Sequence, residues 1–155
     1  MPVQKPGRSK QDYGTPIQLI HAVEARWDAL RVDLAATAEN AKCGEYLTPE
    51  DNSLECDWIH CIGDGLAWLN PPFADIAPWA KRCYVYSDNN IILLVPASIG
   101  AEWFAAHVEG KAKVVGLRPR LTFEGCKDPY PKDCMLCLYG PMFEDEPVFS
   151  TWRWK

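Results

Sequence analysis

The chain has 155 residues, a net charge of −5, 48% hydrophobic residues and 24% charged residues. This length and composition are typical of one ordinary globular domain, and no stretch approaches the roughly 20 apolar residues that a membrane span needs. The acidic balance argues against nucleic-acid binding over a broad surface, although a local basic groove on an acidic protein remains compatible with it.

Residues 1–12 are rich in Pro, Gly, Lys and Gln, which predicts a flexible N-terminal tail, and residues 13–155 are expected to form a single domain. The N-terminus is polar and has no apolar export segment, so we expect a cytoplasmic protein. The seven cysteines are then reduced thiols and not a disulfide framework.

The first regular element predicted from the sequence is a helix over residues 16–27. Thr15 is a good N-cap and Pro16 is a good first helical residue, and apolar residues then recur at helical spacing. The N–H groups at the start of this helix could hold a carboxylate or phosphate, or the residues could simply cap the helix.

Short strands are predicted next. Val32 and Leu34 indicate a buried strand with Asp33 in it or just beyond it, and a buried carboxylate needs a hydrogen-bond donor. Asp33 could therefore meet a ligand hydroxyl or ammonium, or act as a structural turn residue. Tyr46 is predicted in a second strand, and residues 48–53 form a turn in which Asp51 either caps the chain or contacts a ligand.

The centre of the chain is an apolar strand that leads into Asn70, Pro71, Pro72 and Phe73. The two prolines end the strand, which places Asn70 at its carboxyl end, where ligands bind in open α/β sheets. The Asn70 side-chain oxygen and the Pro71 carbonyl can accept hydrogen bonds from one exocyclic amine, and Phe73 offers a flat surface to a planar base. Such acceptors stabilise the positive charge that develops on an attacking amine.

Helices and strands alternate through the rest of the chain. The pattern predicts a helix over 75–86, a buried strand over 91–95, a helix over 100–108, a strand over 114–117 with 121–123 as its continuation or hairpin partner, and a last strand over 134–139. This order predicts an α/β domain with a mostly parallel sheet and an antiparallel closing pair. Arg118 and Arg120 alternate along the predicted strand and could face DNA phosphate, a base edge or solvent.

Three sequence blocks, in this order and spacing, carry a family resemblance. They are Tyr13-Gly14-Thr15-Pro16, the stretch from Asp33 to Leu54, and Trp68 to Phe73 with Ile76 and Trp79. Together they resemble the phage-type DNA N6-adenine methyltransferases, often called the Dam family of phages and prophages. The sequence departs from that pattern in having Phe73 where Tyr is commoner, and in having Ala35-Ala36 in place of a Gly-rich turn.

The resemblance implies a Rossmann-like, S-adenosylmethionine-dependent fold with a mostly parallel seven-stranded sheet and an antiparallel strand near the C-terminus. It implies methyl transfer to the N6 amino group of an adenine that is flipped out of duplex DNA. The implied catalytic residues are Asn70, Pro71, Pro72 and Phe73, and the implied cofactor-binding residues are Tyr13, Thr15, Pro16, Asp33, Leu34, Ala35, Asp51 and Asn70. Which carboxylate binds the ribose and which the methionine ammonium stays open.

Other functions compete with this interpretation. The same acceptor chemistry could serve a glutamine amide or RNA, or the chain could be a non-catalytic relative that binds cofactor or DNA, and a homodimer is compatible with the sequence. A zinc site at Cys134 and Cys137, with Cys126 and His60 or His107, is disfavoured because residues i and i+3 of a strand point to opposite faces.

Overall fold

The computed structural model describes residues 14–155, so the predicted tail and Tyr13 lie outside the described residues. Its helices are α1 (Ile17–Arg26), α2 (Ile59–Ile62), α3 (Ala77–Val85) and α4 (Glu102–His107), with 3₁₀ turns at Pro49–Asp51 and Pro141–Phe143. Its strands are β1 (Leu30–Asp33), β2 (Glu45–Tyr46), β3 (Leu66–Leu69), β4 (Asn90–Pro96), β5 (Lys113–Arg118), β6 (Cys134–Tyr139) and β7 (Phe149–Arg153).

The seven strands form one sheet in the order β2-β1-β3-β4-β6-β5-β7. Six strands run in one direction, and β6 is antiparallel to both of its neighbours, β4 and β5. This arrangement confirms the predicted Rossmann-like fold class, including the antiparallel strand near the C-terminus. It also brings the carboxyl ends of all six parallel strands to one side of the sheet, which we call the carboxyl edge.

The sheet is covered on both faces, and β4 lies at its centre. Ile91 and Leu93 pack into the core under α2, α3 and α4, whereas Ile92 and Leu94 pack into the core with α1 and the C-terminal segment. Every residue of β4 is buried. The prediction of a doubly covered central strand is therefore confirmed, and it follows from a continuous apolar run that has no polar face to expose.

Two predictions about the last third of the chain are wrong. Residues 121–123 are not a strand, since Pro119 has no N–H to continue the ladder and the chain leaves the sheet after Arg118. The strand over 134–139 is confirmed but is not the last one, because β7 follows it at the edge of the sheet. The alternation of exposed and half-buried residues in β7 gave no buried run to recognise.

The cysteines of the predicted last strand do point in opposite directions. Cys134 packs in the core with α1, and Cys137 packs in the core with α3 and α4. Within residues 14–155 no group of three or more His, Cys, Asp and Glu side chains is placed to hold a metal ion. None of the helices in that range is both long and apolar enough to cross a membrane.

Candidate active site

The Asn70–Phe73 segment begins at the carboxyl edge, directly after β3. β3 lies between β1 and β4, and all four of its residues are buried. Pro71 is buried too, while Asn70, Pro72 and Phe73 are half-buried. The prediction that Asn70 lies at the carboxyl end of a strand is confirmed, and the sheet order places it in the middle of that edge.

The Asn70 side chain is oriented by Thr15, a residue 55 positions earlier. Asn70 Nδ2 donates a hydrogen bond to Thr15 Oγ1 at 3.1 Å, and Thr15 is buried. Because the NH₂ group points at Thr15, the side-chain oxygen is the other end of the same planar amide. Thr15 was predicted to cap α1, but Pro16 occupies the N-cap position and its carbonyl accepts from Leu19 N at 3.0 Å.

Asp33 ends β1 and is buried, with 3% of its surface exposed. Its carboxylate accepts hydrogen bonds from Ala35 N at 3.3 Å and from Lys42 N at 3.1 Å. Burial raises the pKa of Asp33 to about 6, although these two backbone bonds and the Lys42 charge act to lower it. The carboxylate is therefore incompletely compensated, which favours a further donor at this position.

Two small clefts meet at Ala35 on the carboxyl edge. The first is polar and joins the three side chains just described; it is lined by Gly14, Thr15, Asp33, Ala35, Asn40, Lys42 and Asn70. The second, which we call the apolar cleft, has a volume of about 90 Å³ and is lined by Ala35, Ala36, Leu47, Thr48, Pro49, Asn52, Ser53, Leu54 and Trp79. The structure thus brings together Thr15, Asp33, Ala35 and Asn70 of the predicted cofactor residues.

Three other predicted cofactor residues, all within residues 14–155, lie outside these clefts. Asp51 is exposed and accepts hydrogen bonds from Thr48 N at 2.8 Å and Thr48 Oγ1 at 3.0 Å, and these bonds lower its pKa. Asp51 therefore caps the turn, which is one of the two roles that the sequence allowed for it, the other being contact with a ligand. Leu34 is buried in the core beneath the clefts, and Pro16 lines a separate surface cleft beside α1.

The wall of the apolar cleft is held by Arg82, which the sequence did not single out. The Arg82 guanidinium lies 4.8 Å from the centroid of the Trp58 ring and 4.9 Å from that of the Tyr86 ring. It also donates hydrogen bonds to the carbonyl oxygens of Ser53 and Cys56. Arg82 thereby ties the loop after the Pro49–Asp51 turn to α3.

The Phe73 ring belongs to a group of three aromatic rings. Its centroid lies 5.9 Å from that of Phe123 and 5.7 Å from that of Tyr130, in edge-to-face geometry, and the latter two rings are 5.6 Å apart. Such pairs fix ring orientation as well as burying area. Phe123 and Tyr130 come from the loop between β5 and β6, and no local sequence signal linked them to Phe73.

An ion pair connects three segments around the polar cleft. Lys42 Nζ lies 2.7 Å from Glu124 Oε1, and Glu124 N donates to Gly14 O at 2.9 Å. A Cβ atom on residue 14 would collide with the Glu124 carboxylate, so a larger residue there would push that side chain aside. The loop between β5 and β6 therefore closes against both Gly14 and the Asp33–Lys42 turn.

The two predicted DNA-binding arginines differ in their surroundings. Arg118 is the last residue of β5 and is exposed. Arg120 lies beyond Pro119, outside the strand, and its Nε forms a 2.9 Å ion pair with Asp133 Oδ1. The prediction that both alternate along one strand is therefore wrong for Arg120.

A larger cavity lies away from these residues. It has a volume of about 590 Å³ and opens beside α4, over β5, β6 and β7, with Phe104, Val114, Met135 and Phe149 among its lining residues. It is mostly apolar and contains neither Asn70 nor Asp33. We therefore place the candidate active site at the carboxyl edge, where the polar groups converge, and not at this larger cavity.

The chain is similar to a known protein family. The family model described as DNA N-6-adenine-methyltransferase (Dam) matches residues 4–135. The DNA N-6-adenine-methyltransferase of Escherichia phage T1 is 28% identical over 112 residues, covering 71% of this chain and 46% of that protein. That of Haemophilus phage HP1 is 26% identical over 144 residues, covering 85% of this chain and 80% of that protein.

This chain thus spans about half the length of its phage T1 relative and most of the phage HP1 relative. No solved structure matches the chain significantly. The family model covers far more than half of the sequence and includes β1, β3 and the Asn70–Phe73 segment. The chain belongs to the DNA N-6-adenine-methyltransferase (Dam) family.

Proposed function

We propose that this protein transfers a methyl group from S-adenosylmethionine to the N6 amino group of adenine in duplex DNA. One observation carries the proposal: the Asn70 amide, oriented by the buried Thr15 hydroxyl, shares a polar cleft with the buried Asp33 carboxylate. The reaction needs hydrogen-bond acceptors for the amine that is methylated and a site for the methyl donor. Asn70 and Asp33 offer these two functions in one cleft. Family membership supports the same reaction.

The Asn70–Phe73 segment acts on the target base. The Asn70 side-chain oxygen and the Pro71 carbonyl accept the two hydrogens of the adenine amino group, and Pro72 keeps the turn rigid. The adenine amine is a poor nucleophile because its lone pair is conjugated with the ring. Acceptors fixed beside it stabilise the positive charge that develops during attack, so no separate nucleophile is required. Phe73, held edge-on by Phe123 and Tyr130, stacks on the flipped base.

The clefts suit S-adenosylmethionine by chemistry. Their polar end offers Asp33 to an ammonium or hydroxyl donor, and their apolar end offers Leu47, Leu54 and Trp79 to a planar base. The bound cofactor supplies an electrophilic methyl group, which has to lie near Asn70. We therefore place the methionine part at the Asp33 end and the adenosine part at the Trp79 end. Ligand pockets usually exceed about 300 Å³, so binding widens the apolar cleft.

We also propose that residues 13–155 act as one domain in the cytoplasm, where phage DNA is found in an infected cell. The predicted cofactor contacts also include Pro16, Leu34 and Asp51. Leu34 would contact the cofactor through its backbone, and Asp51 would act through the turn that it caps. A homodimer stays a prediction as well, and light scattering of the purified protein at several concentrations measures it directly.

The proposal is tested by incubating the protein with S-adenosylmethionine and a mixed-sequence plasmid, then digesting the DNA and analysing the nucleosides by mass spectrometry. We expect N6-methyldeoxyadenosine as the product, and far less of it in the same time with the Asn70→Ala variant. Parallel reactions with RNA and with protein test the alternative substrates. A methylated RNA base or glutamine would overturn the DNA assignment, and cofactor binding without any methyl transfer would identify a non-catalytic relative.

Thr15→Val should reduce methyl transfer without preventing folding. Valine keeps the shape of threonine but loses the oxygen that accepts from Asn70 Nδ2, so the amide can rotate. We expect kcat to fall about tenfold, because one hydrogen bond is worth about 1 kcal/mol and an unpaired buried group costs more. Thr15→Ser retains the hydroxyl and should stay close to wild type. Equal losses in both variants would show that the hydroxyl does not position Asn70.

A further inference from the structure

A basic surface lies on the carboxyl edge above β5, β6 and β7. It is made of six exposed cations, on the ends of β5 and β7 and on the loop between β5 and β6: Arg118, Arg120, Lys127, Lys132, Arg153 and Lys155. We call it the basic ridge. The same loop carries three exposed carboxylates, on Glu124, Asp128 and Asp133, so the cations outnumber the carboxylates here by two to one, whereas the whole chain has a net charge of −5.

Two of these cations lie side by side. Arg118 is in register with Arg153 in the ladder between β5 and β7, at a strand separation of about 4.8 Å. The residues that precede them, Leu117 and Trp152, pack on the α1 side of the sheet. Because successive residues of a strand point to opposite faces, both arginines project from the other side of the sheet. Arg118 also lines the large apolar cavity on that side.

No carboxylate within residues 14–155 neutralises this pair. Arg120 is held by Asp133, but Arg118 and Arg153 have no acidic partner within ion-pair distance in that part of the chain. Like charges at neighbouring strand positions repel each other. An anion bound between them removes this repulsion, and the guanidinium fork matches a phosphate group in two-point geometry.

The arginine pair is built on an anchored backbone. Trp154 N donates to Arg118 O at 3.1 Å, and Trp154 Nε1 donates to Pro119 O at 2.9 Å. Trp154 itself is buried, so the chain end is fixed against the end of β5. The ridge is also connected to the candidate active site, since the loop between β5 and β6 carries Tyr130 against Phe73.

The sheet order gives the distance across the sheet from this pair to β3, the strand that leads into Asn70. β5 is three strands from β3 and β7 is four, which corresponds to about 14 Å and about 19 Å. At 3.4 Å per base pair, these distances span about four to six base pairs of duplex DNA. We propose that Arg118 and Arg153 bind the DNA backbone phosphates that flank the target adenine at this distance. This proposal rests on the proposed function and assigns its DNA-docking surface.

The test is a salt series of DNA binding, measured by fluorescence anisotropy with a 20-base-pair duplex. We compare wild type with the double variant Arg118→Gln/Arg153→Gln. Lys111→Gln, which removes an exposed cation at the opposite edge of the sheet, is the matched control. Removing one cation that neutralises a phosphate lowers the slope of log K against log salt concentration by about 0.9. We expect a reduction of about one to two in the double variant and no change in the control.

Three results would overturn the assignment: an unchanged slope in the double variant, the same reduction in the Lys111 control, or tighter binding of an RNA duplex of equal length. The double lysine variant, Arg118→Lys/Arg153→Lys, keeps both charges and should keep the slope, which separates charge loss from misfolding. Thermal unfolding should show a melting temperature for the glutamine variant at or above that of wild type. Because the assay needs no methyl transfer, an inactive protein that shows the expected slopes would refute the proposed function alone.

Discussion

Replacing Asn70 with alanine is expected to lower kcat for DNA methylation by about 10²–10³-fold, while binding of S-adenosylmethionine stays close to wild type. The reason is that the side-chain oxygen acts on the amine only as positive charge develops, so its loss raises the transition state more than the ground state. Losing one preorganised hydrogen-bond group of this kind costs an enzyme about that factor. The measurement is single-turnover methyl transfer to plasmid DNA, with cofactor binding followed by calorimetry.

The controls for this prediction separate the acceptor from the fold. Asn70→Asp keeps acceptor oxygens at the same place and should retain more activity than Asn70→Ala. Asn89→Ala removes a half-buried asparagine of similar size whose side chain binds the Gly63 carbonyl, at the opposite edge of the sheet, and should not lower kcat. If Asn70→Ala turned over at a rate near wild type, Asn70 would have no part in the chemistry.

The second large effect is expected in the pH dependence of cofactor binding. The pKa of Asp33 is raised by burial to about 6, and a ligand donor binds the ionised carboxylate. Affinity for S-adenosylmethionine should therefore rise about tenfold from pH 5 to pH 7 and level off above that. Asp33→Asn should bind weakly and without this pH dependence. Asp88→Asn, a change in an exposed turn, should leave the pH dependence intact, and calorimetry at several pH values measures all three proteins.

The Asp33 carboxyl group also makes the free energy of unfolding depend on pH. This free energy falls with rising pH, whereas the affinity for the cofactor rises. Its pKa in the folded protein, about 6, lies above the unfolded value of 3.8, so the folded state binds more protons between these two values. The free energy of unfolding should therefore fall as pH rises from about 4 to about 6, by up to about 3 kcal/mol from this group. Urea unfolding of wild type and Asp33→Asn across that range measures the difference. Parallel pH profiles for the two proteins would contradict the raised pKa.

Local patterns in the sequence were enough to predict the middle of the fold. The apolar run of β4 and the proline-ended strand before Asn70 carry their own signals, because a buried strand tolerates no polar residue and proline cannot continue a ladder. Helical periodicity likewise predicted α1 and α3 to within a few residues. Asn70 and Asp33 lie on the same edge of the sheet because the strands that lead into them, β3 and β1, are parallel neighbours.

Contacts between distant segments could not be predicted in this way. The hydroxyl of Thr15 accepts a hydrogen bond from Asn70 and does not cap its own helix. The rings of Phe123 and Tyr130 orient Phe73 from the loop between β5 and β6, of which only residues 121–123 resembled a strand. The neighbouring residues in the sequence do not show whether Thr15 caps its helix or binds Asn70, or whether Phe123 belongs to a strand or packs on Phe73. A buried threonine or phenylalanine has the same local sequence pattern in both roles. Sheet packing decides which partner is within reach.

The sequence by itself therefore determined the fold class, the strand that ends at Asn70 and the chemistry that an amide, two prolines and a phenylalanine can perform. Only the tertiary structure decided which side chains surround that segment. It showed β7, an edge strand that pairs in parallel with β5 and contains no buried apolar run by which the sequence could predict it. It also placed Arg118 beside Arg153, because charge proximity across a sheet depends on register and not on spacing along the chain.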